Sequence, residues 1–474
     1  MPASRTRRIA EACPQSPARR TGKLLDQTTS KPTGSGRPRG PANLLFCRFL
    51  DGHIKSGALE AVFADGSRAQ FGAPGSNSLD IAIRLTDSGV ARSILLDPAL
   101  GAAEAFMDGR LVIERGDVMG LVDLFARNAP WEAGASYNRP SPLRKLGNRI
   151  AFHGEQLNNA VRSRANVAHH YDIGNALYRL MLDPEHMQYS CGYWPREGMT
   201  LGEAQEAKLA HIAAKLALEP GQRVLDIGCG WGGMAIFLAQ RAGVHVTGIT
   251  LSREQAALAR ERVTAAGVED KVSIELIDYR DHADQGHKYD RIVSVGMFEH
   301  VGQQQFETFF RCTGKLLDTD GVMLVHTIGR MGGPGSTDAF TRKYIFPGGY
   351  IPALSELVTQ SEKYRWQVMD VEAMRFHYSH TLEEWYRRTV LHRKEIEALY
   401  DERFYRMWLF YLAGAEQSFR HGNMVNWQMQ YVKDRNAIPM TREYIETESA
   451  RLRAADAGNV PKWHLDPVLD EAAE

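Results

Sequence analysis

The chain has 474 residues, of which 43% are apolar and 9% aromatic, enough to bury a core and to exclude overall disorder. The 57 basic residues balance the 57 acidic ones, and no apolar run approaches the roughly 18 residues that span a bilayer, so we expect a soluble protein of two or three domains. The cysteines form no CxxC pair, which argues against a disulfide scaffold or a zinc ribbon and favours a reducing cytoplasm.

Residues 1–43 are predicted to be a disordered basic arm. They carry nine Lys or Arg against two Asp or Glu, leaving 48 basic against 55 acidic residues in the rest of the chain. Their Pro, Gly, Ser and Thr content leaves little apolar surface to offset the entropy of ordering. We interpret the arm as a solvated extension, with organelle targeting or anionic-lipid contact as the alternative. The acidic body gives little support to nucleic-acid binding.

The next segments predict two domains. Residues 44–129 indicate a small mixed α/β domain, with strands within 57–66 and 79–87 and a helix at 118–127. A linker with proline and arginine follows at 130–148. We assign 149–440 to a larger domain and 441–474 to a C-terminal tail.

Strands and helices alternate between residues 222 and 329, which predicts a doubly wound, parallel α/β sheet of the Rossmann-like class. The predicted strands are 223–228, 244–251, 271–278, 290–298 and 322–329, and the predicted helices are 234–242, 253–267 and 306–317. Residues 382–400 and 402–420 read as amphipathic helices whose aromatic stripe is more typical of core than of a ligand site.

The loop after the first strand of this sheet is rich in glycine, and Gly228, Gly230 and Gly233 satisfy GxGxxG. This pattern alone suits a dinucleotide site or a simple tight turn. An NAD enzyme would carry an acidic residue at the end of the second strand, which here ends at Thr250-Leu251-Ser252. The NAD reading therefore loses its main support.

Acidic residues lie instead before the glycines and after the third strand. Asp226 precedes the loop, and Asp278-Tyr279-Arg280 ends the third strand, where a carboxylate and a ring could meet an adenine. This is the arrangement of S-adenosylmethionine methyltransferases. In the alternative interpretation, Asp278 caps a helix and Tyr279 packs in the core.

Further motifs carry a family resemblance. They are AHHYDIGN at 168–175, LDP at 182–184, QYSCGYW at 188–194, GMFEHVG at 296–302 and HTIG at 326–329. In this order the chain resembles the cyclopropane fatty acid synthase family, which includes the mycolic acid cyclopropane synthases, from about residue 168 to 434. The N-terminal piece is similar to the smaller domain of the phospholipid-acting members.

The resemblance implies a class I methyltransferase domain and a reaction. A methyl group passes from S-adenosylmethionine to the cis double bond of an unsaturated phospholipid acyl chain, and proton loss to bound bicarbonate closes a three-membered ring. The implied bicarbonate ligands are Cys191, Glu299, His326, Ile328 through its backbone, and Tyr378. The implied cofactor contacts are Tyr189, Ser190, Leu225, Asp226, Gly228, Gly230, Gly233, Thr250, Gln255, Tyr279 and Arg280. A homodimer and transient contact with the cytoplasmic face of a membrane are also implied.

The residue types agree with this chemistry, although each has a plainer interpretation. Cys191 could be a small buried hydrophobe, and Glu299 could form an ion pair with His300. His326 ends a predicted strand at the ligand-binding edge of the sheet, which favours function over core packing. Aromatic rings could attract a sulfonium or carbocation, and we expect these rings to be Tyr171, Tyr189, Tyr193, Trp194 and Phe298. His169 and His170 lack a third ligand at metal spacing, so no metal site is predicted.

One position departs from the family pattern, and several functions stay open. Ala415 stands where some family members have a cysteine, which leaves the bicarbonate mechanism untouched. The closest alternative product is a methyl or methylene branch without ring closure. A lipid-binding scaffold and a small-molecule methyltransferase are further alternatives. For membrane docking the candidates are the basic arm and the segment Arg403–Arg420.

Overall fold

The structure is a computed structural model that describes residues 38–73, 75, 79–134 and 174–455. Several sequence predictions lie outside the described residues: the arm up to residue 37, the linker from 135 to 148, the last residues 456–474, and His169, His170 and Tyr171.

The N-terminal part forms a small α/β domain around a four-stranded sheet. Its elements are α1 (Pro41–His53), β1 (Gly57–Val62), β2 (Arg68–Ala73), β3 (Asp80–Leu85), α2 (Gly89–Leu96), α3 (Pro98–Met107), β4 (Leu111–Arg115) and α4 (Val118–Arg127). The strand order is β2-β1-β3-β4, with β1 and β3 parallel and the other pairs antiparallel. The predicted strands within 57–66 and 79–87 and the helix 118–127 are confirmed.

Alternation and capping explain these elements. Ile81, Ile83 and Leu85 point to the same face of β3 and are buried beneath the helices. The helix α4 begins after Asp117, whose carboxylate accepts a hydrogen bond from the Gly120 N–H at 2.7 Å. The small domain thus has a core of its own.

The larger part is built on a seven-stranded sheet of order β10-β11-β9-β8-β5-β6-β7. The strands are β5 (Arg223–Ile227), β6 (His245–Thr250), β7 (Val272–Leu276), β8 (Tyr289–Val295), β9 (Leu317–Arg330), β10 (Gln367–Ala373) and β11 (Met424–Val432). The strands β5 to β9 are parallel, as the sequence predicts, because their apolar runs are buried by helices on both faces. The antiparallel strands β10 and β11 were not predicted.

Helices cover this sheet and join it to the small domain. They are α5 (Asn175–Met181), α6 (Leu201–Lys215), α7 (Gly233–Ala242), α8 (Arg253–Ala265), α9 (Tyr279–Ala283), α10 (Phe306–Leu316), α11 (Leu354–Glu362), α12 (His377–Leu391), α13 (Arg393–Leu399), α14 (Glu402–Arg420) and α15 (Glu443–Ala454). In the part of the chain that the structure describes, no helix combines the length and apolar character needed to cross a membrane.

The helix α14 is the main contact between the two parts, since it packs against α12 on one side and against α3 and α4 on the other. The Arg403 guanidinium binds the Asp108 carboxylate at 2.8 Å, and His421 lies 3.2 Å from Asp123. The segment Arg403–Arg420, one of the two candidates for membrane docking, is therefore largely buried between α12 and the small domain, which corrects its interpretation as an exposed surface.

The segment after residue 440 differs from the predicted tail. Residues Glu443–Ala454 form α15, which packs on α6 and buries Ile445 and Leu452. The i, i+7 spacing of these two side chains places both on one face of the helix.

Candidate active site

A glycine-rich loop connects β5 to α7 at the carboxyl edge of the sheet. Gly228 has a φ of +85°, and a Cβ there would lie 2.7 Å from the Cβ of Met297. A Cβ on Gly233 would collide with the carbonyl oxygen of His186. Both positions therefore require glycine, the first for its backbone conformation and for space, the second for space alone.

A cavity of about 130 Å³ opens beside this loop. Of the predicted cofactor contacts, those on its wall are Tyr189, Ser190, Asp226, Gly228, Gly230, Thr250, Gln255, Tyr279 and Arg280. Leu225 is instead buried in the core, and Gly233 begins α7 beneath His186, so neither lines the cavity. The cavity also includes Asp278, at the end of β7, and Met297, after β8.

Asp226 is the polar group best placed to receive a ligand here. It is 1% exposed, and burial raises the pKa of its carboxyl to about 7 against the opposing effect of the Lys208 charge. Among the described residues, its Oδ2 has no hydrogen-bond partner. A buried acceptor without a hydrogen-bond partner fits the amino and hydroxyl groups of S-adenosylmethionine.

Asp278 and Tyr279 combine both sequence interpretations. The Asp278 carboxylate caps α9 by accepting the Arg280 N–H at 2.9 Å, and it pairs with the Arg280 guanidinium at 2.6 Å. The Tyr279 ring packs edge-on against Phe309, with centroids 5.7 Å apart. All three of the residues 278–280 nevertheless line the cavity, so capping and core packing do not remove them from it.

A second, larger cavity of about 620 Å³ is lined by the predicted bicarbonate ligands. All five line its wall, namely Cys191, Glu299, His326, Ile328 and Tyr378. They come from distant parts of the sequence: the loop before α6, the turn after β8, strand β9 and the start of α12. The fold therefore brings the set together, while the role of each residue stays a prediction.

Glu299 lies on a 3₁₀ turn after β8 and is 8% exposed. Its Oε1 accepts the backbone N–H of Ile328 at 2.5 Å, while its Oε2 has no hydrogen-bond partner within the described residues. Burial raises the pKa of this carboxyl to about 7. A proton can therefore reside on Glu299 near neutral pH.

His326 lies on β9 and is held by the neighbouring strand β11. The side-chain amide nitrogens of Asn426 and Gln428 lie 2.9 Å and 3.2 Å from its Nε2 and Nδ1. Burial, helped by the positive charges of Lys208 and Lys215, lowers the pKa of His326 well below its usual range. The imidazole is thus neutral and fixed in orientation.

Cys191 and Tyr378 complete the wall. The Cys191 thiol is fully buried and donates to the carbonyl oxygen of Gly192 at 3.2 Å, and burial raises its pKa far above the ordinary value. Tyr378 packs its ring against Phe419, with centroids 4.8 Å apart. The Cys191 thiol is therefore protonated near neutral pH.

The two cavities share one wall, to which Tyr189, Ser190, Gly296 and His300 contribute. Lys208 of α6 holds the loop that carries the first two of these residues. It is fully buried, and its ammonium group donates to the Gln188 side chain and, at 3.0 Å, to the Ser190 hydroxyl. Lys208, Asn426 and Gln428 were not among the predicted site residues, although polar residues between apolar ones are a signal that points to them.

Most of the predicted cation-binding rings lie elsewhere. Of the four that the structure describes, only Tyr189 lines a cavity. Phe298 is buried in the core 4.5 Å from Phe306, and Tyr193 stacks on His211 at 4.3 Å. The predictions for Phe298, Tyr193 and Trp194 are therefore wrong, because sequence adjacency to a motif does not fix the direction of a side chain. Ala415 lies on the wall of the larger cavity.

Comparison with known proteins identifies the family. Residues 158–429 match the sequence model of the family described as mycolic acid cyclopropane synthetase. The chain belongs to this family. The family resemblance expected from the motifs is thereby confirmed, and the matched span contains both the glycine-rich loop and the proposed base ligands.

Individual members of the family extend the comparison. The chain is 39% identical over 367 residues to the cyclopropane-fatty-acyl-phospholipid synthase of Escherichia coli K12, covering 77% of this chain and 91% of that protein. It is 39% identical over 287 residues to a probable fatty acid methyltransferase of Pseudomonas putida, covering 58% and 72%. The structure of mycolic acid cyclopropane synthase CmaA1 complexed with SAH and CTAB is similar with a TM-score of 0.53 and 34% identity, covering 56% of this chain and 97% of that one. This family member is therefore an S-adenosylmethionine-dependent methyltransferase with a Rossmann-like fold.

Proposed function

We propose that this methyltransferase transfers a methylene from S-adenosylmethionine to the cis double bond of an unsaturated phospholipid acyl chain and forms a cyclopropane ring. The observation that carries the proposal is the wall shared by the two cavities, one beside the glycine-rich loop and one long and mostly apolar. The proposal is also supported by the 39% identity to a cyclopropane-fatty-acyl-phospholipid synthase.

We also propose that bicarbonate binds among Cys191, Glu299, His326, Ile328 and Tyr378. The group fits a small oxyanion because Glu299 retains an open, buried oxygen and a pKa of about 7, so its acid form can donate a hydrogen bond. The other members are a neutral imidazole, a thiol, a phenol and the backbone of Ile328, whose N–H already donates to Glu299. Arg330 is the one lysine or arginine that lines this cavity within the described residues.

The chain's own groups then have distinct tasks. S-adenosylmethionine, when bound, supplies the methyl group, and bicarbonate, when bound, supplies the base. The apolar wall excludes water, which would capture a carbocation. Tyr189 presents an aromatic ring at the shared wall, where positive charge is stabilised by the π face. Burial keeps the Cys191 thiol protonated and therefore a poor nucleophile toward the cation.

A second product is favoured by one comparison. The relative from Pseudomonas putida is described as a probable fatty acid methyltransferase, which is compatible with a methyl or methylene branch instead of a ring. The same carbocation leads to either product, so the position of the base decides between them. NMR separates the two, because cyclopropane ring protons resonate upfield.

The proposed substrate also requires contact with a bilayer. We propose that the protein acts as a homodimer at the cytoplasmic face of the membrane, with the basic residues of the first 43 positions attracted to anionic lipid. Sedimentation with anionic and zwitterionic vesicles tests this contact, since salt should release the protein from the former.

The activity itself is tested with purified protein, dioleoyl phospholipid vesicles and methyl-labelled S-adenosylmethionine. We expect label in acyl chains that gain the mass of one methylene and show ring protons. Label in an unclosed branch would select the alternative product. Folded protein that binds the cofactor but labels no lipid would overturn the proposed substrate.

A further inference from the structure

We call the part of the larger cavity that is lined by the five proposed bicarbonate ligands the catalytic wall. The cavity does not end there but continues into the small domain. Its lining includes Phe46 of α1, Ile83 of β3, Leu111 of β4 and Leu121 of α4. These four side chains are at most 5% exposed and belong to the core of the small domain. We call this extension the small-domain arm of the cavity.

An open apolar space inside a domain core calls for an explanation. Protein interiors are close-packed and contain few voids larger than a water molecule. An apolar void does not hold water well but accepts apolar ligands. The whole cavity, at about 620 Å³, has the size of a ligand site and not of a packing defect.

The lining differs in polarity between the two domains. Every lining side chain that the described part of the small domain contributes is apolar. The polar lining side chains Arg330, Ser336, Asp338 and Asn423 belong to the larger domain, and Ser336 is exposed to solvent. Burial of an ester or phosphate among apolar groups would cost several kcal/mol, on the order of that for any unpaired polar group. The polar end of a lipid therefore belongs near Ser336, and its hydrocarbon end in the small-domain arm.

The two domains are held in a fixed relation along this cavity. Glu104 of α3 accepts hydrogen bonds from the Lys343 ammonium at 2.7 Å and from the Tyr344 hydroxyl at 3.0 Å. Asp108, just after α3, binds Arg403 of α14 at 2.8 Å. The distance from the catalytic wall to the end of the arm is thus set by the docking of α3.

We propose that the small-domain arm binds the methyl-terminal part of the acyl chain and selects substrates by the number of carbons between the double bond and the methyl end. The inference rests on the proposed function, since it assumes an acyl chain whose double bond lies at the catalytic wall. It assigns a binding site to a region outside the span 158–429 that matches the family. The solved cyclopropane synthase CmaA1 covers only 56% of this chain.

Filling the arm tests the inference. Ala102 of α3 lines the cavity and is half-buried, so Ala102→Phe places a ring in the arm near the domain boundary. Leu96→Phe is the matched control, because Leu96 of α2 is 47% exposed and does not line the cavity. Thermal unfolding and binding of S-adenosylhomocysteine verify that both variants are folded.

Three acyl chains distinguish an effect on the methyl side of the double bond from an effect on its carboxyl side. Palmitoleoyl and oleoyl chains have the same carboxyl side, but oleoyl is two methylenes longer on the methyl side. Palmitoleoyl and cis-vaccenoyl chains share the methyl side and differ on the carboxyl side. In Ala102→Phe we expect kcat/KM for oleoyl to fall about tenfold relative to palmitoleoyl, with the cis-vaccenoyl to palmitoleoyl ratio unchanged.

A second variant is expected to have the opposite effect on chain-length preference. Val122→Ala of α4 enlarges the arm and should raise kcat/KM for gadoleoyl chains, which extend oleoyl by two methylenes on the methyl side, relative to oleoyl. Loss confined to cis-vaccenoyl, equal loss for all chains, or unchanged ratios in both folded variants would overturn the inference. If the wild-type protein labels none of these lipids, the proposed function fails, and the inference fails with it.

Discussion

The carboxylate of Glu299 accepts the backbone N–H of Ile328, and this 2.5 Å hydrogen bond ties the turn after β8 to strand β9. It uses one oxygen of the carboxylate, while the other oxygen is buried and has no hydrogen-bond partner within the described residues. Glu299 is therefore held in place by the backbone through one oxygen only, as the proposed role in catalysis requires.

The first prediction concerns catalysis by Glu299. Glu299→Gln keeps the size of the side chain, but the amide can neither donate nor accept a proton in catalysis. We therefore expect turnover of dioleoyl vesicles to fall about 10²-fold or more. Binding of S-adenosylhomocysteine, measured by calorimetry, should be unchanged because Glu299 does not line the cofactor cavity. Glu307→Gln, an exposed carboxylate paired with Lys363, is the control and should keep full turnover. Full turnover in Glu299→Gln would remove this residue from the mechanism.

The second prediction concerns stability against pH. Burial raises the pKa of Glu299 from 4.5 to about 7 in the folded state, so the folded protein binds a proton that the unfolded chain releases between these values. Glu299 thus lowers stability as pH rises from about 4.5 to 7, whereas the side-chain amide of the variant Glu299→Gln cannot ionise. We expect the variant to gain about 2–3 kcal/mol over wild type at pH 8 and little at pH 4.5, by urea unfolding. A difference that does not change with pH would contradict the assignment.

The third prediction concerns the support of His326. Asn426→Leu removes one of the two amides that hold the imidazole, and we expect kcat to fall about tenfold because a buried hydrogen bond of this kind is lost. The KM for S-adenosylmethionine should be unchanged, since Asn426 lines only the larger cavity. Asn436→Ala, on an exposed turn, serves as the control. A larger effect on KM than on kcat would argue against a positioning role.

The fourth prediction concerns Lys208. Lys208→Met removes the donor to Gln188 and Ser190 but keeps an unbranched apolar side chain in the same space. Because Ser190 and Tyr189 line both cavities, we expect a higher KM for S-adenosylmethionine together with a kcat lowered about tenfold. Lys315→Met, an exposed lysine paired with Asp284, should change neither constant. An effect on thermal stability alone would show that Lys208 is only structural.

The parallel strands and the glycine-rich loop could be predicted because they depend on local apolar runs and on backbone freedom. Strand β11 could not, since Asn426, Gln428 and Gln430 place amides at positions that a buried strand usually fills with apolar residues. The nitrogens of these amides contact groups distant in sequence, namely the His326 ring for Asn426 and Gln428 and, for Gln430, the Tyr444 hydroxyl at 2.8 Å. These hydrogen bonds depend on which strands and helices lie next to β11, and the local sequence does not show this.

The site was also predicted only in part: its proposed bicarbonate ligands were predicted from the sequence, and the small-domain arm of the cavity was not. Motif resemblance named the residues of the catalytic wall, since each lies in a recognisable short segment, and the fold places them on one cavity. The small-domain arm had no such signal. Its lining residues, such as Phe46 and Leu121, read as ordinary core, and only the tertiary structure shows that the core around them is open.

The wall common to the two cavities also has a kinetic consequence. The cofactor cavity and the larger cavity have separate linings that meet only at Tyr189, Ser190, Gly296 and His300. If the cofactor and the lipid occupy these separate cavities, both can be bound at once, and we therefore expect direct methyl transfer within a ternary complex without a methylated protein. Double-reciprocal plots at several cofactor concentrations should intersect instead of running parallel.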